Sequence, residues 1–449
     1  MLLSGCTDDL GSALGLDNDG GVFTGTGSGA TALVVGDEPY AVQVGAQILT
    51  QGGSAADAAT AMYFALSVTY PVAAGLGGGG ICIVHDSGTG QTEEFDFLAR
   101  DSSGGGAYAV PGNVRGFALL QSLYGRLPWQ RDVAPGEGFA ATGFAISHAL
   151  AARITSAKDV IRLDAALAAE FLDESGVPKA AGTTVSNPDL ATTLSAIRTG
   201  GPNALYRGAL GARVIAYSQT QGGAIGVPEI AHYEVGRSAP QVMTIGNQSV
   251  YLPSRSVGAG AFAGALFGTL DQALQTPSGE SDIQASVVVA IKNTLTQFGV
   301  TALPPDLGAT GFAATDANGQ SVACAVTMNG PFGSGHNATG TGVTLARAPS
   351  SGDAGLSAAF LTPVIATGGG RLSFAGAGAG GPNGTAAVGY ALARLSRGDS
   401  MSRRSDLKST GVAPNETINA ITCQGGVCVA LPDPAANGLG AAGDPPKSN

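Results

Sequence analysis

Residues 41–84, AVQVGAQILTQGGSAADAATAMYFALSVTYPVAAGLGGGGICIV, restrict the fold more than any other stretch of the chain. Gly52 and Gly53 stop one short helix, and Ser54 is placed to cap the next. From Ala55 to about Thr69 the chain reads as a helix of small residues, ended by Pro71. Gly75 and Gly77 to Gly80 then lead into an apolar strand, Ile81-Cys82-Ile83-Val84. So many Ala and Gly side chains let backbones approach closely, which suits a helix lying flat on a sheet. A glycine run can also cradle an anion, but a phosphate loop opens a helix and carries Lys-Ser or Lys-Thr. This one enters a strand, and reads as a tight structural turn.

QVGAQILTQGGSAADAA, followed by Pro71 and LGGGG, closely resembles the large-subunit opening of the γ-glutamyltransferases, which are N-terminal-nucleophile hydrolases. The resemblance continues in order through Val110-Pro111-Gly112, Leu127-Pro128-Trp129, Gly143 to Ile146, Phe332 to Gly335 and Leu431-Pro432-Asp433-Pro434. It implies an α+β fold, a four-layer αββα sandwich. It also implies that 29–308 is a large-subunit-like region and 309–449 a small-subunit-like region, both halves forming one compact domain. Residues 1–28 read as a signal remnant and flexible tether.

Composition narrows the partners. Charged residues are 12% of the chain, about half the usual share of roughly 25%. The net charge of −11 argues against nucleic acid and anionic lipid surfaces. No uninterrupted apolar run is long enough for a transmembrane helix. Leu3-Ser4-Gly5-Cys6 looks like a lipoprotein cleavage box, with Cys6 as the lipidated residue and the polar TDDLGSALGLDNDGG tether after it. That places the chain on the periplasmic face of a bacterial cell envelope, touching membrane only through a lipid anchor, with other envelope proteins as expected partners. Cys423 and Cys428 bracket Gln-Gly-Gly-Val, a hairpin turn, and are expected to pair in an oxidising compartment. Cys82 and Cys324 sit in apolar strands and read as core thiols. The histidines are scattered, without metal-ligand spacing, so neither metal nor other cofactor is expected.

Elsewhere, Ala32 to Val35 reads as a strand, and Thr92 to Leu98 as the return of a hairpin through 85–90. Residues 155–185 read as helical, and Asn187 before Pro188 as the cap of another helix. One small-residue helix follows Ser254 and another lies within 277–307. Gly311 to Thr315 and Gln320 to Met328 read as strands joined by the Asp316–Gly319 turn. Pro363 to Ile365 and Gly376 to Gly384 complete the sheet region, and 394–408 reads as a solvated helix face and loop.

An N-terminal-nucleophile hydrolase cuts its own chain before a Thr, Ser or Cys, and the freed amine helps activate that side chain. In γ-glutamyltransferases a Thr-Thr-His run opens the strand before an Asp-x-x-Gly-type turn. Counting back from Asp316 and Gly319 without gaps places Ala309, Thr310 and Gly311 under that run. Ala309 has no nucleophilic atom. Thr310 faces the other way along a strand, and becomes the nucleophile only if one residue is deleted before Asp316. The resemblance further assigns Thr327 and Asn329 to the substrate-binding end, and Gly380 and Gly381 to the oxyanion hole. The family's Asp-Phe-Arg-Glu is Asp96-Phe97-Leu98-Ala99 here, so Leu98 replaces the carboxylate-gripping arginine. Arg100, roughly 7 Å further along the same strand face, can substitute only if the backbone shifts. The acidic pair becomes Ser350-Ser351 with Asp353 nearby, and the paired serines are reduced to Ser357. The expected function is therefore an uncut, catalytically inactive structural or binding subunit with a vestigial cleft for an amino-acid-like or γ-glutamyl ligand. The alternative is an active γ-glutamyltransferase or amidohydrolase using Thr310; a third reading is a periplasmic binding protein.

Overall fold

The computed structural model describes residues 23–24, 32–273, 280–407 and 415–443. Cys6 and most of the 1–28 tether lie outside them.

Its strands are β1 (Phe23–Thr24), β2 (Leu33–Gly36), β3 (Gly79–Asp86), β4 (Gln91–Asp96), β5 (Phe144–Ala145), β6 (Thr184–Val185), β7 (Gly236–Ser238), β8 (Gln241–Ile245), β9 (Gln248–Leu252), β10 (Ala309–Thr315), β11 (Gln320–Thr327), β12 (Asn337–Ala338), β13 (Val343–Thr344), β14 (Thr362–Gly368), β15 (Arg371–Ala379), β16 (Thr417–Gln424), β17 (Val427–Leu431) and β18 (Leu439–Ala442). One sheet runs β18-β2-β10-β11-β3-β4-β7 and the other β1-β17-β16-β15-β14-β9-β8. The sheets stack with β10 and β11 over β14, β15 and β16. Along β10 the strand alternation decides every neighbour. Ala309, Gly311 and Ala313 face the other sheet, whereas Phe312 and Ala314 join the cluster under the helices. A Cβ on Gly311 would lie 2.8 Å from the Ala377 Cβ, so small residues set how closely the sheets approach. The helices Pro39–Thr50, Ala55–Thr69 and Asn113–Tyr124 cover the first sheet, and Ala259–Ala273 and Pro382–Ser396 the second. The fold is the α+β, four-layer αββα sandwich of the N-terminal-nucleophile hydrolases.

Ala55–Thr69 is buried along its whole length, as a helix apolar on every side must be. Ser54 caps it, and the cap is reciprocal: Ser54 Oγ accepts the Asp57 N–H at 3.1 Å while Asp57 Oδ2 accepts the Ser54 N–H at 2.8 Å. Pro71, read as a terminator, also starts the next short helix, Pro71–Ala74, because its missing N–H is wasted nowhere less than at a first helical position.

Four expectations need correction. Residues 155–185 are not one helix: the segments His148–Ser156, Lys158–Ile161 and Ala165–Phe171 are separated. Asp164 Oδ1 caps the last by accepting the Ala166 and Leu167 N–H groups, and Asp173 closes a turn beyond it. The strand expected to reach Leu98 ends at Asp96, whose Oδ1 accepts the Leu98 N–H at 3.0 Å. Gly376 to Gly384 is not all sheet, since the core helix Pro382–Ser396 begins inside it. Gly384 and Gly389 lower helix propensity but let this helix lie against Ala379 and Phe267. Cys82 and Cys324 are directly opposed on β3 and β11 and form a disulfide. Cys423 and Cys428 form a second one across the β16–β17 hairpin.

Asp57 also accepts the Arg126 and Leu127 N–H groups. Beside it lies Asp132, fully buried, whose carboxyl is within reach of the Asp57 carboxylate and the Gln121 amide. Burial, then the Asp57 charge, pushes Asp132 up to about 9. A carboxyl raised in the folded state favours folding below its unfolded pKa, and that contribution is lost as pH rises through the folded value. Asp132→Asn should therefore leave Tm nearly unchanged at pH 4 and raise it at pH 8 to 9. An equal shift at both ends would contradict a neutral Asp132.

Candidate active site

The segment leading into β10 is anchored atom by atom. Arg153 and Asp306 form a buried, bidentate pair at 2.9 and 2.7 Å, and Arg153 Nη1 also reaches the Tyr70 hydroxyl at 3.2 Å. Asp306 Oδ1 accepts the Gly308 N–H at 2.8 Å. Gly308 has φ +60°, and a Cβ there would lie 2.0 Å from the Gly330 carbonyl oxygen. Only glycine fits that position. The Gly308 carbonyl, which precedes Ala309, accepts the Met328 N–H and the Thr327 hydroxyl, both at 2.9 Å. Thr327 Oγ1 in turn accepts the Asn329 N–H, and Asn329 Nδ2 donates to the Arg347 carbonyl. Ser357 Oγ donates to the Leu307 carbonyl at 2.7 Å. Thr327, Asn329 and Ser357 thus gather around the 307–309 backbone.

Ala309 itself is buried in an apolar cluster between the sheets, with Ile81, Ala325, Leu361, Ala377 and Ala379, and with Leu98 against it. Thr310 points elsewhere. Its hydroxyl donates to Asp37 Oδ2 at 2.6 Å, and Asp37 also accepts from Thr417 Oγ1 at 3.0 Å and Asn419 Nδ2 at 2.8 Å. Burial raises the Asp37 pKa while these three donors pull it down. Both Thr310 and Asp37 are sealed from solvent.

Two residues beyond Ala379, Gly381 precedes the Pro382–Ser396 helix. Its free N-terminus attracts an anion, and the chain supplies one. Glu416 Oε2 accepts the Asn383 N–H at 2.6 Å and Oε1 accepts Asn383 Nδ2 at 3.0 Å. A Cβ on Gly381 would lie 2.4 Å from that carboxylate. The glycine turn, with Gly380 at φ +85°, is therefore already covered by a carboxylate. Arg100 is not gathered with these groups: it lies over the Tyr233 ring, 4.9 Å from its centroid, and 4.0 Å from Asp96. Ser350 bonds Asp101, and Asp353 pairs with Arg347 at 2.8 Å. The sequence reading missed Asp37, Glu416, Arg347 and the Arg153–Asp306 pair. The only local signal is Arg153, a lone cation among apolar residues of its helix.

Fold and site together define a sandwich of the N-terminal-nucleophile hydrolase class. A family model described as gamma-glutamyltranspeptidase matches residues 41–295, more than half the chain, and the protein belongs to that family. It is similar to "Glutathione hydrolase 3" of Arabidopsis thaliana, 26% identical over 396 residues, covering 74% of this chain and 62% of the relative. It is 32% identical over 230 residues to the "Glutathione hydrolase proenzyme" of Escherichia coli (strain K12), covering 46% of this chain and 39% of the relative. The chain thus spans less than two thirds of the length of these relatives. Among solved structures, cephalosporin acylase from Bacillus halodurans superposes with TM-score 0.73 at 17% identity, covering 94% of this chain and 96% of that one. The Helicobacter pylori gamma-glutamyltranspeptidase superposes with TM-score 0.54 at 24% identity, over 62% of this chain and 85% of that one.

Removing one partner of a buried ion pair strands the other charge. Arg153→Met should therefore cost about 3–5 kcal/mol, read as a lowered urea midpoint at unchanged slope. A loss below about 1 kcal/mol, the range of exposed pairs, would contradict the anchoring role of Arg153.

Proposed function

We propose that this chain is a γ-glutamyltransferase-family protein that neither cuts itself nor transfers γ-glutamyl groups, and that it serves as a lipid-anchored structural or binding subunit of a bacterial cell envelope. The observation that carries the reading is Ala309, a methyl group packed among Leu98, Leu361 and other apolar side chains where the family resemblance calls for a hydroxyl. An acyl shift needs an oxygen or sulfur there, and none is present. Leu98 supplies no charge for a substrate carboxylate. The Glu416 carboxylate at Gly381 disfavours a developing oxyanion at that turn, since like charges repel. Each loss removes transition-state stabilisation of several kcal/mol on the scale of a single lost oxyanion donor.

A second reading has its own observation: Thr310 Oγ1 donates to a carboxylate, Asp37, at 2.6 Å, a pairing that can activate a hydroxyl. Chain integrity separates the two. Under the first reading the purified protein runs as one chain near 44.0 kDa less any removed leader, and hydrolyses a γ-glutamyl anilide no faster than background. Two fragments summing to that mass, with Thr310 as a new N-terminus, would establish the second. Ala309→Thr should yield at most slow self-cleavage, because Leu98, Gly311 and Glu416 remain. Full transferase activity from that one change would overturn the inactive reading.

The anchor is tested separately. Intact mass of membrane-extracted protein should show a diacylglycerol-modified chain beginning at Cys6. An unmodified Cys6 thiol would remove the lipoprotein part of the proposal and leave the inactive site untouched.

A further inference from the structure

Six residues along β10 from Ala309, roughly 20 Å at the rise of a strand, a cavity of about 460 Å³ opens at the far end of the sandwich. Hairpins of both sheets meet there: the β10–β11 turn at Gly319, the β14–β15 turn at Gly370 and the β16–β17 turn at Gly425 and Gly426. Glycines put no side chains into the mouth. Behind it the two sheets close over the small residues Ala313 and Ala323. The Cys423–Cys428 disulfide and Leu372 give the wall its apolar surface.

Two polar features point into or over this space. Ser321 is 1% exposed, faces the other sheet with Ala323, and lines the cavity. Arg371 stands at the rim, exposed, with no ion pair among the described residues. The acidic residue of the wall, Asp316, is already engaged by Arg126 at 3.2 Å and by the Asn318 and Gln320 N–H groups. The unbalanced charge of the cavity is therefore positive.

We propose that this cavity is a binding site for a small amphiphilic carboxylate, distinct from the Ala309 region and independent of the reading given to it. An apolar body lies in the cavity against Leu372 and the disulfide. The carboxylate meets Arg371 in a charge-assisted hydrogen bond. The volume lies in the range of small-molecule pockets, which are mainly apolar with a few placed polar groups.

The test uses the full chain and decanoate, kept below micelle formation, in isothermal titration calorimetry and thermal shift. The expected result is saturable binding of one decanoate per chain and a concentration-dependent rise in Tm. Decanol and acetate, each lacking half of the recognition, should bind at least about tenfold more weakly. Arg371→Glu, a change at an exposed position, should weaken decanoate binding by at least about tenfold, and Ser321→Leu should abolish it by filling the cavity. Unsaturable binding, or binding unchanged in Arg371→Glu, would overturn the proposal. Should Ser321→Leu not fold, Arg371→Glu and the decanol comparison still decide it.

Discussion

The close approach of two sheets through glycine and alanine is the constraint on which the structure depends. Gly311 against Ala377 admits no further carbon, and Ala309, Ala325 and Ala379 continue the same contact toward the end of β10. Packed interiors transmit strain from added volume, so this layer restricts what the 309 position can carry. The polar groups that remain nearby serve the backbone. Thr327, Ser357 and Asp306 hydrogen-bond the Leu307–Gly308 segment, and Arg153 neutralises Asp306 from the helical layer. The result is a well-satisfied turn into a strand, with the hydroxyl of Thr310 committed to Asp37 on the opposite face.

Many glycines of the scaffold make turns and close contacts, such as Gly308, Gly380 and the Gly77–Gly80 run. Several are sterically obligatory: a Cβ on Gly79 would lie 1.9 Å from the Ala99 nitrogen. The groups that would touch a substrate have no such constraint. Leu98 packs against the apolar cluster that holds Ala309, and Glu416 accepts the Asn383 N–H at the start of the Pro382–Ser396 helix. Neither Leu98 nor the Glu416 carboxylate supplies a hydrogen-bond donor to an anion.

Much of the fold was legible because its signals are local. Ser54, the Ala55–Thr69 helix, the Asn187 cap and the Asp316–Gly319 turn are each written within a few neighbouring residues. Strand alternation alone separated Ala309 from Thr310. Contacts between distant segments left no such mark. Cys82 and Cys324 become partners only when β3 and β11 pair in register, and Thr310, Thr417 and Asn419 converge on Asp37 only when both sheets stack. The Pro382–Ser396 helix was hidden by glycines whose value is tertiary. Arg100 was misplaced because the strand carrying it ends at Asp96, held by a side-chain bond that strand periodicity does not register.

The account stands on the continuity and surroundings of the main chain at residue 309. A high-resolution crystal structure of the purified protein tests this most directly. An unbroken Gly308–Ala309–Thr310 backbone is expected, with the Ala309 methyl in its apolar cluster and the Glu416 carboxylate on the Asn383 N–H. A chain broken before Thr310, with its free amine and hydroxyl turned from Asp37 into an open cleft, would contradict it.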